Sequence, residues 1–114
     1  MNYLVVYAHP NPKSFCHAIK EEVVACIKKK GENCEVRDLY QMGFNPVLGS
    51  SDFVQFLQKK TPEDIQKEQD LIRQADILVF VYPVWWFSMP AILKGYIDRV
   101  FFREIGRASC RERV

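Results

Sequence analysis

The sequence contains no run of about 20 apolar residues, the length a membrane-crossing helix needs. It has no C-x-x-C pair among its four cysteines, and no long block of one charge sign. Each absence removes a class of function. Without an apolar span, an integral membrane protein built on helices is excluded. Cys16, Cys26, Cys34 and Cys110 lack metal-site spacing, so free thiols in a reducing compartment are expected rather than zinc or a disulfide framework. A net charge of +2 supplies no footprint for nucleic acid. The longest basic run, Lys28 to Lys30, ends a predicted helix, where it complements the helix dipole. There is no G-x-x-x-x-G-K-[ST], which removes P-loop chemistry. There is no G-x-G-x-x-G after the first strand, which argues against a dinucleotide Rossmann site. A phosphoacceptor domain would need acids where His9-Pro10 and Tyr82-Pro83 stand. No Ser-His-Asp or Cys-His set is evident, and His17, inside a helix, reads as a surface residue. Met1 is followed almost at once by a core strand, so no signal peptide is expected and the predicted location is cytoplasmic.

What is present is one small domain of 114 residues, 48% of them apolar. Tyr3 to Ala8 is a short apolar run, as expected of a strand buried on both faces of a parallel sheet. Ser14 caps a predicted helix to about Lys30, with Phe15, Ile19, Val23, Cys26 and Ile27 at helical spacing and Gly31 as its stop. Cys34 to Leu39 reads as a second, more exposed strand. Between Gln41 and Lys60 turn residues dominate, and Phe53, Phe56 and Leu57 suggest one short helix. Thr61 is the expected cap of the next helix, with Pro62 at its first position and Asp64 completing a capping box. Ile65, Glu68, Ile72 and Ala75 mark its inner face, Glu68 being the imperfect member. Ile77 to Tyr82 is the strongest strand and is expected to be central. Pro90 opens a last helix to about Phe102. Alternating strands and helices predict a doubly wound parallel α/β sheet, in which 2-1-3 is the simplest order.

In such sheets ligands bind beyond the carboxyl ends of the strands, where strand order reverses. Two segments converge there. His9 to Cys16 ends at a helix N-terminus, a ready anion site, with His9, Asn11, Lys13 and Ser14 as further donors. It also reads as an ordinary capped loop. Pro83, Val84, Trp85, Trp86 and Phe87 place three aromatics after a buried strand. A planar heterocycle could stack on them, and the same residues would serve as an apolar dimer patch.

The combination of A-H-P-x-x-x-S-F, D-L-Y-x-M-x-F-N-P, Q-x-L-x-x-x-A-D and P-x-x-W-F-x-x-P-A-I-L-K-G-x-x-D-R-V-F resembles the NAD(P)H:quinone oxidoreductase family of flavodoxin-like flavoproteins, from residue 3 to about 102. The resemblance implies a five-stranded sheet of order 2-1-3-4-5, of which this chain carries 2-1-3. It implies FMN or FAD as cofactor, NAD(P)H as hydride donor, a quinone acceptor and a homodimer. It carries His9, Asn11, Ser14, Phe15 and Cys16 over to the flavin phosphate and ribityl chain, and Pro83 to Phe87 to the ring. No catalytic acid or base within the chain follows from it. An ancillary subunit of a glutathione-gated potassium efflux system is the alternative it allows. Residues 104–114 depart from the family and resemble a translated sequencing adapter. The expected division is therefore a flavin-binding part, 1–103, and a non-native tail. A chain so shortened is expected to expose the third strand as an edge, to hold flavin weakly and to aggregate.

Overall fold

The computed structural model describes residues 1–101. The expectations for the tail lie outside them. Three parallel strands form the sheet: β1 (Asn2–Tyr7), β2 (Asn33–Asp38) and β3 (Ile77–Val81), in order β2-β1-β3. β1 is buried from Leu4 to Tyr7 because it is flanked by strands on both edges and by helices on both faces. β2 is more exposed, as its alternating sequence predicts. β3 is apolar throughout but pairs only with β1 among the described residues and is half-buried up to Val81, so the central place belongs to β1. The register aligns Tyr7 with both Asp38 and Val81, bringing the carboxyl ends of all three strands to one level.

Helix α1 (Phe15–Lys29) starts where the Ser14 side chain accepts the His17 N–H and stops before Gly31, whose φ of +75° closes the turn. Its inner stripe keeps Val23 and Ile27 of the expected face and replaces the rest. Cys16, Val23, Val24 and Ile27 pack on Val5 and Tyr7, while Phe15, Ile19 and Cys26 stay outside. Lys20 rather than Ile19 stands over the Tyr7 ring, its Nζ 5.3 Å from the ring centroid. The one-turn helix α2 (Leu39–Met42) was not anticipated; Asp38 caps it and Gly43 ends it in the left-handed region. α3 (Ser50–Leu57) is the expected short helix, and Phe56 is its buried aromatic.

α4 (Glu63–Gln74) corrects the predicted cap. It begins at Glu63 with Pro62 in the capping position and no side-chain cap bond. Thr61 is outside the helix, and Asp64 closes no capping box, because its carboxylate is held by Arg99 instead. Glu68 is no flaw in the stripe. It is buried and receives two hydrogen bonds from Arg37 of β2, at 2.9 and 2.6 Å. α5 (Ala91–Val100) follows Pro90 and lies against the same sheet face as α4, burying Leu93, Tyr96 and Val100 with Leu4, Val6 and Ile65. Gly95 permits the approach: a Cβ there would sit 2.2 Å from Pro46 Cβ. Arg99 of α5 is 4% exposed. It donates to both Asp52 oxygens, to Asp64 and to the Asn45 carbonyl, binding α3, α4 and α5 together.

Candidate functional site

The two predicted segments do meet at the carboxyl end of β1 and β3. The Ala8 N–H donates to the Val81 carbonyl at 3.0 Å, extending the pairing beyond the strands. One residue later the chains splay, and the His9 and Trp85 rings meet edge to face with centroids 5.7 Å apart.

The first segment is shaped by its own side chains. His9 Nδ1 accepts the Asn11 N–H at 3.0 Å, and Asn11 Oδ1 accepts the Lys13 N–H at 2.9 Å. The Asn11 carbonyl accepts from Ser14 N–H. With Nδ1 occupied as an acceptor, a neutral His9 carries its proton on Nε2. Asn11 therefore shapes the loop through its amide oxygen. Ser14 uses its hydroxyl on His17 N–H. The next two N–H groups, of Phe15 and Cys16, open the helix and have no acceptor within it. The Cys16 side chain packs inward on the Val5–Tyr7 cluster, so what that residue offers a ligand is its backbone. The Phe15 ring is exposed. A helix N-terminus flanked by a histidine donor is suited to a phosphate.

The second segment is a tight reverse turn. Trp85 and Ser88 exchange backbone hydrogen bonds of 2.9 and 3.1 Å. Between them Trp86 and Phe87 have φ of 53° and 64°, the left-handed region that bulky residues avoid. Both are almost wholly in solvent, at 94% and 100%. Strain and exposure of two large aromatics in one turn bring no packing gain among the described residues, which is how a ligand clamp reads. Pro83 is half-buried and Val84 exposed, so they form the base and flank of the turn.

Beside this site a cleft of about 400 Å³ opens between α1 and the end of β2, lined by Tyr7, His9, Pro10, Pro12, His17, Lys20, Asp38, Tyr40 and Gln41. Apart from His9, none of these was expected to hold the flavin. His17 is no simple surface residue, since its ring stands edge-on to Tyr7 at 6.1 Å. The signal available in the sequence was Asp38, an acid at the end of the strand next to β1. Among the described residues no cluster of His, Cys, Asp or Glu could hold a metal, and no helix is long and apolar enough to cross a membrane.

A sequence model of the family described as "Flavodoxin-like fold" matches residues 1–108. An uncharacterized NAD(P)H oxidoreductase of Haemophilus influenzae is 48% identical over 101 residues, 88% of this chain and 50% of that protein. A solved NAD(P)H:quinone oxidoreductase from Methanothermobacter marburgensis superposes with a TM-score of 0.81 at 36% identity, over 89% of this chain and 53% of its own. The general stress protein 14 of Treponema denticola, solved in complex with FMN, superposes at 0.62 with 25% identity, over 90% of this chain and 49% of its own. The chain thus spans about half the length of the relatives it matches.

Proposed function

The chain belongs to the flavodoxin-like fold family, and from that premise we propose that its protein is a flavin-dependent NAD(P)H:quinone oxidoreductase, converting NAD(P)H, a proton and a quinone to NAD(P)⁺ and a hydroquinone. The observation that supports this reading best is the meeting of a helix N-terminus with a strained, exposed aromatic turn at one sheet end. The residues fit a flavin: FMN or FAD would have its phosphate at the Phe15 and Cys16 N–H groups with His9 Nε2 as a further donor, and its ring against Trp85, Trp86 and Phe87. When bound, flavin supplies the hydride relay between nicotinamide and quinone. This chain's residues bind and orient. The Asn11 N–H fixes the His9 tautomer, Trp85 fixes its ring, and the turn holds Trp86 and Phe87 outward. The exposed Trp86 and Phe87 also suit a homodimer interface beside the site. The reading places the enzyme in the cytoplasm.

Titration of the purified protein with FMN, followed by quenching of flavin fluorescence, tests the cofactor. Trp86→Ala is expected to weaken binding about tenfold, the scale of a lost aromatic contact beyond its area. NAD(P)H oxidation dependent on added benzoquinone tests the reaction. Unchanged flavin retention in Trp86→Ala would remove the turn from the site, and absence of quinone-dependent oxidation in the flavin-loaded protein would reject the activity.

A further inference from the structure

We propose that Asn11 is a positioning residue: its backbone N–H holds His9 as a neutral imidazole with the proton on Nε2, so that a flavin phosphate meets an uncharged donor and is not held more tightly as the pH falls. The inference rests on the preceding function for the phosphate, but not for the state of the ring. Among the described residues His9 makes one hydrogen bond, and it accepts it: Nδ1 receives the Asn11 N–H at 3.0 Å. A backbone N–H can only donate. Protonating Nδ1 would set two N–H groups against each other at hydrogen-bond distance. The acceptor geometry is itself held. Asn11 Oδ1 receives the Lys13 N–H at 2.9 Å, and the Asn11 carbonyl receives the Ser14 N–H at 3.1 Å. Pro10 and Pro12 restrict the backbone on either side.

An imidazolium is stabilised where a carboxylate takes one of its protons, and among the described residues none bonds His9. His9 shares its cleft with His17 and Lys20 of α1, Asp38 at the end of β2, Tyr7 and Tyr40. Lys20 and His17 lie 2.5 and 3.5 Å from the Glu21 carboxylate. Asp38 accepts the Gln41 N–H. The Lys20 cation opposes a second positive charge in the cleft. From the loop after β3 comes the Trp85 ring, edge to face and uncharged. An unrestrained imidazole facing a phosphate gains a proton as the anion binds, and affinity then rises on acidification. A ring kept neutral both free and bound takes up no proton, and affinity stays level.

Long-range proton–nitrogen NMR of the purified protein without ligand reads the ring directly. The chain has two histidines, and His17→Asn assigns them. His9 is expected with Nδ1 bare and Nε2 protonated at neutral pH. FAD, whose pyrophosphate does not titrate near neutrality, is the probe for binding, followed by flavin fluorescence. Between about pH 8 and about pH 6.5 the parent affinity should stay within about twofold. Asn11→Ala keeps the N–H and should stay as level. Asn11→Pro deletes the N–H, and its affinity should rise about fourfold on acidification over that range, the linkage of one imidazole gaining a proton on binding. Its ring spectrum should show mixed tautomers even if FAD binding is lost. A merely structural Asn11 would weaken both variants equally at every pH. An Nδ1–H ring in the parent, a parent affinity that climbs about fourfold on acidification, or an unchanged ring in Asn11→Pro overturns the proposal. The two measurements separate the readings. An Nε2–H ring without FAD binding rejects the flavin function and keeps the hold on His9. FAD binding with an Nδ1–H ring rejects the hold alone.

Discussion

Two regions of this small domain invert the usual distribution of side chains. Where α3, α4 and α5 meet, charges are inside: Arg99, Asp52 and Glu68 are all buried. At the carboxyl end of the sheet, Trp86 and Phe87 are outside. The difference lies in whether the groups have partners. Arg99 donates to two carboxylates and a carbonyl, and Glu68 receives both its bonds from Arg37. The buried charges are accounted for within the chain. Among the described residues the exposed aromatics pack on nothing comparable, and they sit in backbone that resists them. Polarity in the wrong place marks architecture here when it is satisfied, and function when it is not.

The largest effect should come from breaking the satisfied region. Arg99→Met removes the cation that, among the described residues, serves both Asp52 and Asp64, and leaves the buried Asp52 carboxylate without that partner. A loss of about 3–5 kcal/mol is expected, read as a lower urea midpoint with an unchanged slope. A midpoint within experimental error of the parent would mean that the three helices are held by apolar packing alone.

A smaller effect is expected from acid. Asp52 is held below its ordinary range, first by the Arg99 guanidinium hydrogen bonds, against the opposing effect of burial, and further by the Gly49 N–H. A carboxyl whose folded pKa lies below its unfolded one adds stability that is complete above the unfolded value, about 3.9. That stability is lost as the pH falls through the folded value. Denaturant midpoints measured downward from pH 5 should therefore fall through the acid range as this group protonates. Asp52→Asn should be less stable at neutral pH and show a flatter acid profile. A parallel profile would assign the acid sensitivity to other carboxylates.

The same contrast explains what the sequence made legible. The apolar runs of β1 and β3 and the Ser14 cap are local signals, and the elements they mark are present within a residue or two. Glu68 looked like a defect because its reason, Arg37, lies 31 positions away on another strand. Thr61 and Asp64 looked like a cap because the competing partner of Asp64, Arg99, is 35 positions away. Periodicity carries no account of such pairs. The convergence of the His9 and Trp85 segments was legible, since strand order alone brings them together. The cleft floored by Tyr7 was not. Its walls come from α1 and the end of β2, and only the register of Tyr7 with Asp38 places them opposite each other.

The smallest expected effect on stability is also the one that separates the two regions most sharply. Trp86→Gly relieves a left-handed residue that costs roughly 1–2 kcal/mol, but it also frees the unfolded chain, which offsets part of the gain. The net change should be a slight stabilisation, under about 1 kcal/mol, seen as a small rise in midpoint. The same variant removes a ring from the turn and should lose FMN affinity about as far as Trp86→Ala does. A residue whose removal steadies the fold and weakens the ligand belongs to the site and not to the scaffold. If Trp86→Gly instead destabilised the protein by as much as a buried aromatic does, about 3 kcal/mol or more, the turn would be packed in solution. The exposed aromatics would then be part of the architecture, and the inversion that sets the two regions apart would disappear.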